Sequence, residues 1–247
     1  MAGVSYIYNI YTKPGMFRLS NNSNETITSM NLFTKKSFTR LGTAVLLCGL
    51  SMVFFTARSS AVTYKIGDIY GGGKVAYVFQ SADPGYVEGQ QHGLIAAEAD
   101  VNTTYTDAWD GVSYTGTYVW STSQFKISNN TDYAYQELTT TGTAIGEGAG
   151  NTKKILAKYP IALYPNSAAA VAHEYRGGGF TDWFLPSKDE LKQLYVSKSL
   201  VGGYADFVYW SSSEMSPSVA WYHIFINGLQ GDSIKSYFKR VRPVRVF

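Results

Sequence analysis

FTDWFLPSKDELKQLY, residues 180–195, changes character at its centre. As far as Pro186 it is aromatic and extended. From Ser187 it carries a helix-start signature, in which the Ser187 hydroxyl is placed to accept from the Glu190 amide and the Glu190 carboxylate from the Ser187 amide. Leu191, Leu194 and Tyr195 then supply one apolar face. A second helix is expected over Ser167–Arg176 (SAAAVAHEYR), where Ser167 is the cap, the interior residues are strong helix formers and Gly177-Gly178-Gly179 is the stop. A third is expected over Asn151–Tyr159.

On either side of these helices the pattern is extended. Lys74–Gln80 (KVAYVFQ) is β-branched and aromatic and follows the Gly71-Gly72-Gly73 turn. His92–Ala97 is a short apolar run that fits a strand or a helix. Thr117–Trp120 and Phe207–Trp210 read as short strands. Trp221–Asn227 runs into Gly228 and Gly231 as one arm of a hairpin, and Ser233–Phe238 returns it. Val241–Phe247 is a final strand, and Pro243 places it at an edge or a bulge. The stretch 128–152, rich in Thr, Ser, Asn and Gly, is the longest loop-like segment. There is no internal repeat and no proline-rich linker. Helices in the middle and hairpins at the C-terminal end argue for α+β rather than a doubly wound sheet. Frequent Tyr, Trp and Gly fit that class.

The N-terminal region reads differently. Lys35, Lys36 and Arg40 form a basic flank, Leu41–Ala57 is uncharged over 17 residues, and Ser59 and Ala61 are the small residues of a cleavage site. These are the three parts of a secretory signal, spanning 30–61. An uncleaved anchor is the alternative, since the apolar run is near the lower limit for crossing a bilayer. Leu47 before Cys48 fits a lipoprotein poorly. Residues 1–29 are polar and lack a core pattern, which marks them as a disordered or spurious extension ahead of Met30.

Removing 1–61 leaves 15 basic and 17 acidic residues and no cysteine. The basic balance of the whole chain is therefore not a nucleic-acid signal. Disulfides, thiol nucleophiles and thiolate metal sites are excluded from residues 62–247.

Four motifs in order carry a resemblance to a known family. They are Phe180–Ser187 with Glu190-Leu191, then Tyr209-Trp210-Ser211-Ser212-Ser213-Glu214, then Ala220-Trp221 with its Gly-containing hairpin, and finally Val241-Arg242-Pro243-Val244-Arg245. Ile66-Gly67-Asp68, Gly93-Leu94-Ile95-Ala96 and Gly148–Leu156 (GAGNTKKIL) fit upstream. Over nearly all of 64–247 the chain resembles the Lcl C-terminal domain family, named for the C-terminal domain of a Legionella collagen-like adhesin. The resemblance implies a C-type-lectin-like fold with a mixed or antiparallel sheet, two to three short helices and long loops. It also implies attachment to sulfated glycans and a homotrimer. This chain has no Gly-X-Y stem between Ala61 and Tyr64, which sets trimerisation apart from that adhesin. The cysteine-dependent chemistry of the related formylglycine-generating enzymes has no residue to support it.

Within the motifs, Asp182, Trp183, Pro186, Trp210, Trp221, Arg242 and Arg245 read as structural. The three tryptophans are expected in the core, and the two arginines in ion pairs with core-edge carboxylates. Tyr209, Tyr222 and Tyr237 suit a recognition surface, as tyrosine often does. The Ser211–Ser213 run lacks a nucleophile elbow and reads as backbone hydrogen bonding at a strand end. His92, His173 and His223 share no ligand spacing, and Asp182, Glu214 and Asp232 lack the clustering of a calcium loop, so no metal or cofactor is expected. Lys235, Lys239, Arg240, Arg242 and Arg245 concentrate positive charge in eleven positions. Lys235, Lys239 and Arg240 are expected on an exposed face, with Tyr222 and Tyr237 beside them, suited to sulfate or carboxylate.

The expectation is an exported, non-enzymatic binding module for an anionic glycan or surface protein. Its destination is the envelope, the cell surface or the medium, without a nucleic-acid partner and without membrane attachment once the signal is removed. The alternative is an envelope assembly protein that binds another protein through its C-terminal hairpin.

Overall fold

The structure, a computed structural model, describes residues 63–106, 111–121, 138 and 141–247. All lie in the unit Arg58–Phe247. The extension 1–29, the signal segment 30–61 and residues 128–137, 139 and 140 of the stretch 128–152 are outside the described residues.

The fold is α+β. Strands β1 (Ile69–Tyr70), β2 (Gly73–Val78) and β3 (Gly93–Ala97) come first, followed by the small hairpin β4 (Thr104–Thr106) and β5 (Ser113–Thr115). Helices α1 (Gly148–Lys158), α2 (Ala168–His173), α3 (Lys188–Val196) and α4 (Lys198–Val201) occupy the middle, with a 3-10 turn at Gly177–Gly179. Strands β6 (Val208–Ser216), β7 (Val219–Ile224), β8 (Gln230–Ile234) and β9 (Val244–Val246) complete the chain. The strands form an antiparallel sheet β1-β2-β3-β9, an antiparallel sheet β6-β7-β8 and the β4-β5 pair.

The start of α3 has the geometry its sequence requires. Ser187 Oγ accepts from Glu190 N at 3.2 Å, and Glu190 Oε2 accepts from Ser187 N at 2.8 Å. Glu190 Oε1 also accepts from Gly146 N at 2.9 Å, tying the α1 entry to α3. Burial pushes the Glu190 carboxyl up to about 7, against the N–H donors of Ser187, Gly146 and Gly148, which favour its charged form. Ser167 caps α2 by accepting from Ala170 N at 3.3 Å. The run His92–Ala97, open between helix and strand in the sequence, contains β3 (Gly93–Ala97), which is buried throughout.

Some elements depart from the sequence reading. Thr117–Trp120 is not a strand. Tyr118 makes a single bridge to Lys239, and Val119 one to Ser167. The return arm of the C-terminal hairpin is Gln230–Ile234 rather than Ser233–Phe238, and the last strand is only Val244–Val246, at the sheet edge after Pro243. The β4-β5 hairpin has no counterpart in the sequence reading, because three-residue strands are too short to show alternation. It is held by aromatic contacts: Tyr105 stacks on Tyr114 at 5.7 Å, and Tyr114 on Phe238 at 4.0 Å.

Three apolar clusters make the core. One joins Tyr118, Trp120, Ile155, Tyr159 and Trp210 beneath α1 and α2. Another packs Leu94, Phe184, Leu191, Leu194, Tyr209 and Phe225 between the four-stranded sheet and α3. The smallest is Ile95, Ala97 and Trp183. The serines of β6 tie these layers together through a break in strand register between Trp210 and Glu214. Ser211 Oγ donates to Trp221 O at 2.8 Å, Ser213 Oγ donates to Gly142 O at 2.7 Å, and Ser212 Oγ accepts from Asn151 Nδ2 at 3.3 Å. Among the described residues, no helix is long and apolar enough to cross a membrane.

Candidate ligand-binding face at the C-terminal end

The basic residues of 235–245 separate into two groups once folded. Arg242 is fully buried. Its Nε donates to Asp100 Oδ1 at 2.8 Å, its NH1 to Ala97 O at 2.7 Å and its NH2 to Gly203 O. The Tyr204 ring lies 4.0 Å from the guanidinium carbon. Asp100 Oδ2 accepts from Tyr209 Oη at 2.6 Å and lies 3.6 Å from Arg240 NH1. Burial, followed by the bond to Asp100, pushes the Tyr209 hydroxyl well above the usual range. Arg245 forms a fork with Asp182, Nε to Oδ1 at 2.7 Å and NH2 to Oδ2 at 2.8 Å, and lies 3.8 Å over the Phe180 ring. That bond holds the Asp182 carboxyl below its ordinary value.

Lys235 is the clearest departure from the exposed strip. It is fully buried. Its amine is paired with Glu214, donates to Pro217 O at 2.7 Å and lies 4.4 Å over the Trp120 ring. The physical reason is local: Glu214 is also buried, and a buried carboxylate needs a counter-charge. Glu214 Oε2 accepts from Leu138 N at 2.7 Å, so the pair also anchors the chain at residue 138. Arg240 is partly exposed, shares Asp100 with Arg242, and lies 5.4 Å over Phe207.

Lys239 differs from these four. Against the exposed placement expected of it, it is only 7% exposed, yet no carboxylate pairs with it among the described residues. Its amine donates to Ser233 Oγ at 3.0 Å. Three rings surround it: Trp210 at 4.3 Å, Tyr222 at 5.1 Å and Tyr237 at 5.6 Å. Burial pushes the amine down to about 8, while π faces at these distances favour the cation. Tyr222 lies across β8 because its neighbour there is Gly231. A Cβ on Gly231 would come within 2.6 Å of Tyr222 Oη. Tyr237 is 57% exposed and forms the outer wall.

The structure therefore gathers Lys239, Tyr222 and Tyr237 into one cluster and leaves Lys235 and Arg240 outside it. Sequence reasoning missed Trp210 as a wall and Ser233 as the acceptor, since each reaches the amine only through sheet pairing. Trp183 and Trp210 are buried, whereas Trp221 is only partly so and has the Lys188 amine 3.7 Å over its ring. Trp221 thus departs from the core placement expected of all three tryptophans. Among the described residues no three His, Cys, Asp or Glu side chains stand together as a metal site. His92 bonds Phe247 O at 3.0 Å through Nδ1, and among the described residues both ring nitrogens of buried His223 lack a hydrogen-bond partner.

No protein-family model matches this chain, and no curated protein matches it. Among solved structures it is similar to the crystal structure of a fimbrial protein from Bacteroides ovatus, at 14% identity and a TM-score of 0.37. The match covers 63% of this chain and 36% of that one.

Proposed function

We propose that this chain is an exported, non-enzymatic binding module that recognises an anionic glycan on a surface. In this reading it has a C-type-lectin-like fold of the Lcl C-terminal domain type. One observation carries the reading: Lys239, more than nine-tenths buried, has an amine with aromatic walls and one hydroxyl acceptor but no carboxylate among the described residues. A lysine ammonium has three donors. A sulfate or carboxylate on a sugar would accept the remaining ones, while the exposed Tyr237 ring covers the sugar's apolar face. Because Lys235, Arg240, Arg242 and Arg245 already face carboxylates, recognition rests on one cation and its rings rather than on a basic strip. The purified protein is expected to be retained on immobilised heparin at low salt and released as salt rises. Lys239→Met should abolish retention. Indifference to heparin at low salt, or retention by the variant equal to wild type, sinks the proposal.

A second reading is an envelope assembly protein, with another protein or two further copies of this chain as partner. It is favoured by β8, which stands at a sheet edge with Ile226, Leu229 and Ile234 exposed nearby. An unpaired edge beside exposed apolar residues is a template for strand addition. Light scattering separates the readings: a stable trimer without heparin affinity favours assembly.

A further inference from the structure

The GAGNTKKIL segment, singled out in the sequence, has no part in the face around Lys239. In the fold it opens α1 beside the aromatic stretch FTDWF. Gly148 lets the helix start against Phe184, since a Cβ there would lie 2.8 Å from Phe184 Cε2 and 2.1 Å from Glu190 Oε2. Ala149 follows and is exposed. The small side chain of Ala149 borders a hollow of about 440 Å³. Trp183 and Phe184 line it from one side, Ala149 and Leu156 from the helix, and Lys153 and His173 also border it. Trp183, Phe184 and Leu156 each belong to, or pack against, a different core cluster, so the hollow sits where the three clusters meet.

The polar groups of the hollow divide by what they already hold. Thr152 Oγ1 is used, accepting from Leu185 N at 3.0 Å and donating to Leu185 O at 3.3 Å. The Asp182 carboxylate is used as well, with both oxygens on the Arg245 fork. The Lys153 amine and the His173 ring have no hydrogen-bond or ion-pair partner among the described residues. An apolar hollow of this size bordered by a few convergent polar groups is the usual form of a small-molecule site. Here the unspent groups are a cation and an imidazole, and the one acid is offset by its arginine.

We infer that this hollow binds a small monocarboxylate with an aliphatic chain, the carboxylate meeting Lys153 and His173 and the chain lying against Trp183, Phe184 and Leu156. The site is separate from the Lys239 face and does not rest on the glycan reading.

Calorimetric titration of the full chain with octanoate, and with octanol as the uncharged match, tests it. Octanoate should bind saturably and about tenfold more tightly than octanol, the worth of one charge-assisted contact. Lys153→Glu, at an exposed position, should weaken octanoate by about tenfold and leave octanol nearly unchanged. Ala149→Trp should fill the hollow and remove both without lowering the melting temperature. Heparin should not compete with octanoate, which keeps this outcome independent of the Lys239 test. Absence of saturable binding at millimolar octanoate, equal affinity for the two ligands, or full binding by Ala149→Trp would each overturn the inference.

Discussion

Arg242 and Lys239 stand three positions apart, and both are more than nine-tenths buried. Their surroundings are opposite. The Arg242 guanidinium meets a carboxylate and two backbone carbonyls, and each direction of its fork is used. The Lys239 ammonium meets one hydroxyl and three rings. A buried charge that has its counter-charge is part of the framework, and removing one partner strands the other. A buried charge without one costs desolvation free energy that the fold itself does not return in full. Such a group is where a ligand gains most by supplying the missing acceptor. His223 lies between the two cases: buried, with both ring nitrogens unpartnered among the described residues, it avoids the cost of a buried charge because burial pushes its imidazole down to about 4.

The largest effect expected from breaking this contrast is at Arg242. Arg242→Met leaves the buried Asp100 with only the Tyr209 hydroxyl and an Arg240 guanidinium 3.6 Å away, strands two carbonyls, and should cost about 3–5 kcal/mol, read as a lower midpoint in urea. A loss under about 1 kcal/mol, the worth of a surface pair, would erase the distinction.

The next effect is at His223 and appears as a pH dependence. Burial, with Lys192 and Lys198 nearby, pushes its imidazole down to about 4 from an ordinary 6.5. The unfolded chain therefore takes up a proton first. Stability is complete above pH 6.5 and falls as pH drops toward 4. The slope approaches about 1.4 kcal/mol per pH unit. Glu190, raised to about 7, works in the opposite direction: its contribution is full below the ordinary 4.5 and lost as pH rises through 7. The comparison must therefore be made against a His223→Phe variant. Urea unfolding between pH 7 and 5 should show the wild type losing about 1–2 kcal/mol relative to that variant. Parallel curves would mean that His223 does not stay neutral in the fold.

The smallest effect on stability is expected at Lys239. Replacing a buried charge that lacks a partner by an apolar side chain of similar volume is neutral or stabilising, so Lys239→Met should change stability by less than about 1 kcal/mol. A loss above about 2 kcal/mol would make its rings a structural cation site and dissolve the comparison.

Much of the local structure was legible along the chain. The Ser187–Glu190 box and the Ser167 cap depend on residues within four positions of each other, so the sequence carries them whole, whereas the expected stop at Gly177–Gly179 does not end α2, which already finishes at His173. The extended character of Lys74–Gln80 was equally plain from its composition. The β4-β5 hairpin was not, because its support comes from Phe238, more than a hundred positions away. The candidate site was legible in composition and not in arrangement. Lys239, Tyr222 and Tyr237 were identifiable as residue types suited to a glycan. That Lys235, only four positions earlier, would be buried against Glu214 was not.

The run of basic residues at 235–245, the helix-start signals and the absence of cysteine beyond Cys48 were determined by the sequence alone. Which of those basic groups would be neutralised was decided only by tertiary structure. Asp100, Asp182 and Glu214 reach their partners from 21 to 142 positions away. The strength of a charge pair depends on distance and burial, and neither exists until the sheets have formed.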